Sequence, residues 1–219
     1  MSRIVVDDHR YVLINIFKTD AQHQQRLIEI WQGLGPADER SPGLVSVNAH
    51  VSLDGESVIS YIQWRSKEDW EGILSDPGRQ GRFKEVLTFA TFESLHSEVV
   101  FVQRNPALAG EHAELRENDG VHAVFEVARV APGRQQELLD LVAKPNEALA
   151  LAPGWISNSV HRSFDGTAVV AYSQWESPEA YEEHLKSAPV AGGGGDVAGL
   201  ATVERFQMRI EYITEADGR

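Results

Sequence analysis

The chain has no cysteine among its 219 residues, which removes disulfides, thiolate nucleophiles and cysteine-ligated zinc together. Positive charge is also scarce. Twenty Lys and Arg stand against 33 Asp and Glu, and the formal net charge of −13 would repel a phosphate backbone or an anionic membrane, with no basic cluster to offset it locally. No apolar run approaches the roughly 20 residues of a spanning helix. Acidic residues interrupt the opening "MSRIVVDDHRYVLINIF", where a secretory signal needs an apolar core. A soluble, cytoplasmic protein with neither nucleic acid nor membrane as partner is expected. At 42% hydrophobic and 24% charged residues the composition is that of a folded protein, and the length suits one large domain or two of about 110 residues.

What is present is present twice. The tetrapeptide "YIQW" at Tyr61–Trp64 returns as "YSQW" at Tyr172–Trp175, a shift of 172 − 61 = 111 positions. The same shift superimposes Gln24-Gln25 on Gln135-Gln136, Pro42-Gly43 on Pro153-Gly154, His50 on His161 and Asp54-Gly55 on Asp165-Gly166, without a gap. Chance agreement would not hold one register over such a span. The chain therefore reads as two copies of one module, residues 1–104 and 121–219, joined by a polar linker at 105–120.

Each copy reads from its periodicity as βαββαβ. "YVLINIF" and "HAVFEVA" are β-branched and aromatic runs of strand length. Helical spacing follows in "DAQHQQRLIEIWQGL" and "APGRQQELLDLVAK", the latter with Pro132 expected in its first turn. Two alternating runs joined at Asp-Gly signal a hairpin in each copy. Ser66 and Ser177, each with an acidic residue two positions on, predict helix N-caps. A final strand closes each copy. The expected fold class is α+β, two tandem ferredoxin-like modules whose sheets pack face to face.

A βαββαβ module with a Trp at the end of its third strand, doubled sheet against sheet, resembles the antibiotic biosynthesis monooxygenase superfamily of dimeric α/β barrels. The fused copies would form an intrachain pseudo-dimer, with further homodimerisation left open. In the anthrone-oxidising branch, the resemblance implies an apolar cavity between sheet and helices where an Asn, a Trp, a Tyr and an Arg meet a polycyclic phenol. Trp64 and Trp175 match the Trp. Tyr181 matches the Tyr, with Trp70 in its place in the first copy. The Asn position holds Ser60 and Ala171, and Arg82 and Lys84 stand near the Arg in the first copy alone, where the second has Gly192 to Gly195. Neither copy carries the full set. The resemblance implies an oxygenase acting on an aromatic polyketide with dioxygen, by angucycline ring opening or anthrone-to-quinone oxidation. No tightly bound cofactor is implied. Reduced flavin, FADH2 or FMNH2 from a flavin reductase, is the candidate diffusible co-substrate. A heme-degrading enzyme, with His184 beside Trp175 as iron ligand, and a non-catalytic binding or cyclase-accessory module are the alternatives.

The residues themselves add candidates. A phenol gives up an electron more readily once ionised, so the site calls for a base in an apolar pocket. His50 and His161, equivalent on the second strand, are candidates, against the plainer possibility of hairpin-end histidines facing solvent. His184 follows Trp175 by nine residues and is a third. With Trp175 and Tyr181 it makes the second copy the expected seat of chemistry. Trp155 is a substrate-binding candidate, although an aromatic residue such as Trp155 or Trp31 is more often core than site. Tyr61, Tyr172, Gln63 and Gln174 fall on the opposite strand face and are expected inside the packed barrel. The histidines are scattered, and no metal site is expected. The glycine run at 191–199 lacks the Lys-Ser/Thr of a phosphate loop and reads as a cavity rim.

Overall fold

A computed structural model describes residues 2–6, 8–38, 41–110, 112–117, 120–187 and 197–215. The first module runs β2 (Tyr11–Lys18), α1 (Ala21–Asp38), β3 (Leu44–Ser52), β4 (Ser57–Trp64), α2 (Lys67–Gly72), α3 (Pro77–Val86) and β5 (Thr91–Arg104). The second runs β7 (His122–Val130), α4 (Gln135–Val142), α5 (Glu147–Ala150), β8 (Trp155–Ser163), β9 (Ala168–Trp175), α6 (Pro178–Ser187) and β10 (Ala201–Glu215). Before the first module lies β1 (Ser2–Ile4). It pairs antiparallel with β6 (Ala113–Leu115), so the connection between modules contains a strand rather than a plain polar tether. The buried Ile4, Ala113 and Leu115 explain why: this small sheet extends the apolar core.

The eight remaining strands close a barrel in the order β10-β3-β4-β2-β5-β8-β9-β7, antiparallel at each pairing. The modules thus meet edge to edge as well as face to face. Two long strands make this possible. β5 pairs with β2 of its own module through Thr91 to Ser97 in register, then with β8 of the other from Ser97 to Arg104. β10 does the same with β7 and β3. A bulge marks each seam, between Val99 and Phe101 and between Ile210 and Tyr212, positions related by the repeat. Bulges bend a strand and sharpen its twist, which turns two open sheets into a closed one without free edges.

Local signals behave as the chemistry requires. The Asp-Gly turns place Gly55 at φ 81° and Gly166 at φ 75°, the left-handed region that favours glycine. Each preceding Asp carboxylate accepts the N–H two residues on, at 2.9 Å. Ser66 and Ser177 accept N–H groups of Asp69 and Ala180 at 3.2 Å, as N-caps. Pro132 departs from expectation: it lies in a turn before α4, because Gly133 at φ 81° breaks the helix until Gln135. The stretch after Trp64 also splits into two short helices, α2 and α3.

Tyr61 and Tyr172 are fully buried inside the barrel, where their rings stack 6.1 Å apart. Each hydroxyl hydrogen-bonds a histidine of the other copy, Tyr61 to His161 Nε2 at 3.0 Å and Tyr172 to His50 Nε2 at 3.2 Å. At one end Gln63, Asn48, Ser46 and Ser2 are linked by hydrogen bonds. A polar interior of this kind is tolerable only because most groups find partners.

Candidate active site

The histidine candidates His50 and His161 lie in that interior, completely buried, and not at solvent-facing hairpin ends. Strand alternation puts them on the face opposite the helices. Burial holds both down to about 4, so each is a neutral imidazole at neutral pH. His161 Nδ1–H donates to the Val170 carbonyl at 3.3 Å, which leaves Nε2 to accept from Tyr61.

The cavity lies on the helix side of the first module and encloses about 370 Å³. Volumes of about 300–1,000 Å³ suit drug-sized ligands. β2, β3, β4 and β5 form its floor, and α1, α2 and α3 its walls. Trp64, Trp70 and Arg82 all line it, as does Trp31. Trp64 is 2% exposed, yet its indole N–H has no partner. An unpartnered buried donor on a cavity-lining residue is one that a ligand oxygen would satisfy. Phe83 and Phe92 meet edge to face at 4.7 Å on the rim and remain partly exposed. Ser60 reaches the cavity only through Asn15, whose amide donates to its hydroxyl at 3.1 Å.

Asn15 itself lines the cavity, and its other end accepts from Ser94 at 2.6 Å. The amide that the family resemblance sought on β4 thus stands on the neighbouring strand, paired in register with Ser60. His96, also on the wall, contacts the Tyr11 hydroxyl through Nδ1 at 2.5 Å and the Trp70 ring edge to face at 4.6 Å. Burial, and then Lys67, hold the His96 imidazole below its ordinary value, while Asp165 works in the other direction. Burial, followed by Glu71 and Glu68, raises the Tyr11 phenol, which stays protonated. Asn15, Ser94, Tyr11 and His96 escaped the sequence reading. Asn15 could have been found as the one polar residue in the middle of "YVLINIF".

The second module places a larger side chain at an equivalent position. Trp155 replaces Leu44, is fully buried, and packs with Trp175 and Tyr181 in one cluster. Tyr181 is 3% exposed and its hydroxyl has no partner. His184 lies 4.9 Å from Trp175, ring to ring, so α6 does bring these three together. Burial raises the Tyr181 phenol, Glu126 adding to the effect, and burial lowers His184. Where the first module has Asn15 and Ser94, the second has Glu126 and Arg205, an ion pair at 2.6 Å. Trp155 thus stands where Leu44 lines the first-module cavity, packed with the Trp175 and Tyr181 on which the expectation for the second copy rests. The glycine run, from 191 to 196, lies outside the described residues.

Each module also reaches over the other. The tip of the β8–β9 hairpin lays Phe164 on Tyr11, rings parallel at 5.4 Å, while the Phe164 N–H donates to the His96 carbonyl at 2.9 Å. The repeat-related Leu53 makes the same backbone bond to Gln207 at 2.9 Å. Among the described residues no group of three or more His, Asp or Glu could hold a metal ion, and no helix is long and apolar enough to cross a membrane.

The model of the family described as antibiotic biosynthesis monooxygenase matches this chain twice, over residues 10–81 and 120–192. Tetracenomycin-F1 monooxygenase of Streptomyces glaucescens is 33% identical over 84 residues, which is 38% of this chain and 75% of that enzyme. A crystal structure described as an anthrone oxidase-like protein superposes with a TM-score of 0.87 at 26% identity, over 100% of this chain and 98% of its own. A staphylococcal structure described as a major regulator of pathogenesis reaches 0.53 at 11% identity, over 90% of this chain and 98% of its own. That last likeness concerns the barrel alone.

Proposed function

The chain belongs to the antibiotic biosynthesis monooxygenase family, and on that premise we propose that it is an oxygenase of aromatic polyketide biosynthesis whose reaction takes place in the first-module cavity. The observation that carries this is the cavity's composition: aromatic and aliphatic walls around a few polar groups, the Trp64 N–H, Asn15, Arg82 and His96. Flat walls suit a polycyclic aromatic ring system, and the polar groups suit its phenol and carbonyl oxygens. The relatives named for tetracenomycin F1 and for anthrone oxidation support the same substrate class.

The proposed reaction is anthrone-to-quinone oxidation without a bound cofactor. A ring CH2 becomes a carbonyl, one atom of dioxygen enters the product, and the other leaves as water with the two hydrogens. The substrate supplies all the electrons. Ring opening of an angucyclinone is the finer alternative, and its two extra electrons would come from reduced flavin delivered by a reductase.

Oxygen uptake with a hydroxylated anthrone and with a dehydrated angucyclinone, each with and without chemically reduced flavin, separates the two after subtraction of the boiled-protein background. Uptake with the anthrone alone supports the cofactor-free oxidase. Uptake only with angucyclinone and reduced flavin moves the assignment to ring opening. Tight binding of either compound without uptake overturns the oxygenase reading in favour of a binding or cyclase role.

A further inference from the structure

We propose that His96, positioned by Tyr11, is the proton acceptor of the first-module cavity, and that the second module completes this site by holding the pair with Phe164. The inference rests on the reading that the cavity takes a hydroxylated polycyclic aromatic.

Elimination narrows the choice. No carboxylate lines the cavity among the described residues. The Trp64 indole can only donate, Arg82 is a permanent cation, and the Asn15 amide is engaged at both ends by Ser60 and Ser94. His96 is the remaining lining group that can take a proton near neutrality. Its Nδ1 is held by the Tyr11 oxygen. With Nδ1–H donated to that oxygen, Nε2 is the nitrogen that keeps a lone pair for a ligand.

In the proposed step the substrate's phenolic or enolic O–H bond breaks and an N–H bond forms at Nε2. The electron pair stays on the substrate oxygen. The resulting imidazolium keeps its Nδ1–H on Tyr11, while Arg82 and the Trp64 N–H, on two other residues of the cavity lining, are the donors available to the anion.

The buttress comes from the other module. Phe164 covers the Tyr11 ring and its backbone N–H fixes the His96 strand, so the pair cannot turn without disturbing the β8–β9 hairpin. The charged and titratable groups around His96 are Tyr11 on β2, Lys67, Glu68 and Glu71 on α2, Arg82 on α3, and Asp165 in the hairpin turn. Burial and Lys67 keep the imidazole neutral to lower pH than usual, so activity should fall on acidification with a midpoint below the ordinary histidine value of about 6.5.

The test is anaerobic mixing with 1,8-dihydroxyanthrone, following the red-shifted absorbance of its anion together with quenching of tryptophan fluorescence for binding. The parent protein should bind the compound and generate the anion. His96→Gln should bind within about threefold, lose the anion band and its acid limb, and lose about 10²-fold in aerobic oxygen uptake, a usual worth for general base catalysis. Tyr11→Phe retains the stacked ring and should lower kcat about tenfold with KM nearly unchanged. Should His96→Gln fail to fold, Tyr11→Phe carries the test, and an unchanged anion band and rate in that variant would overturn the proposal. An anion band that survives in folded His96→Gln overturns it as well. Parent protein that binds the anthrone without ionising it overturns the proton-acceptor role alone, and parent protein that does not bind it overturns the substrate reading beneath it.

Discussion

The two modules share a set of polar and aromatic residues on the inner face of their sheets and replace the corresponding set on the outer one. Inside the barrel, Tyr61, Gln63 and His50 recur as Tyr172, Gln174 and His161, all buried. On the helix side Tyr11, Asn15, Leu44, Ser94 and His96 give way to His122, Glu126, Trp155, Arg205 and Gln207. The inner face of each copy is the binding surface of the other, so a change there must satisfy both halves at once. The outer face answers only to its own helices. One copy lines the described cavity, while the other sets an indole at the position of Leu44 and reaches over its neighbour with a hairpin.

The largest effect should come from what the copies share. His50 and His161 are held at about 4 in the fold against 6.5 for an ordinary histidine. The unfolded chain therefore binds more protons between those values, and stability is complete above about pH 6.5 and lost as pH falls toward 4. At 1.36 kcal/mol per pH unit the loss is on the order of 3 kcal/mol for each histidine. Urea unfolding at pH 7 and at pH 4.5 measures it. Removing either histidine should flatten the slope by the same amount, and unequal contributions would break the symmetry argued for the inner face.

Trp155→Leu attacks the difference itself. Leaving a space in a packed cluster should cost about 2–4 kcal/mol. It should also open the second module, and calorimetric titration with an unreactive polycyclic phenol should then move from one site per chain toward two. Unchanged stoichiometry in a folded variant would mean that Trp155 is not what closes that space.

Trp64→Ala and Tyr181→Phe form the next contrast. Loss of the first-module indole should lower kcat/KM for oxygen uptake by about 10²-fold, or about 2.7 kcal/mol in the transition state. Tyr181→Phe removes a buried hydroxyl that has no partner, so activity should hold within twofold and stability should hold or rise by about 1 kcal/mol. The reverse order of effects would return the chemistry to the second module.

The strands, helices and repeat were legible in the chain because periodicity, Asp-Gly turns and Ser caps act locally. Closure followed from the family resemblance alone, since the bulges at Val99–Phe101 and Ile210–Tyr212 leave no composition signal. At the site, Trp64, Trp70 and Arg82, to which the family resemblance pointed, line the cavity. Asn15, Tyr11 and His96 were not legible, because they come from β2 and β5, and cross-strand register is set by the whole sheet. The surroundings of His50 and His161 were hidden for a related reason. A recurring histidine looks like chemistry, and only the closed barrel shows each one facing a tyrosine of the other copy.

The smallest effect tests whether the second module serves the first. Phe164 and Leu53 occupy equivalent hairpin tips, at 52% and 47% exposure, and truncating either should cost little stability. Their reach differs. Phe164 lies on Tyr11 and next to the cavity wall, whereas Leu53 bonds the strand of the second module at Gln207. Phe164→Ala should lower oxygen uptake about three- to fivefold with unfolding midpoints unchanged, and Leu53→Ala should leave uptake alone. Equal effects from the two would reduce the hairpins to symmetrical braces, and the fused second copy would then be needed only to close the barrel.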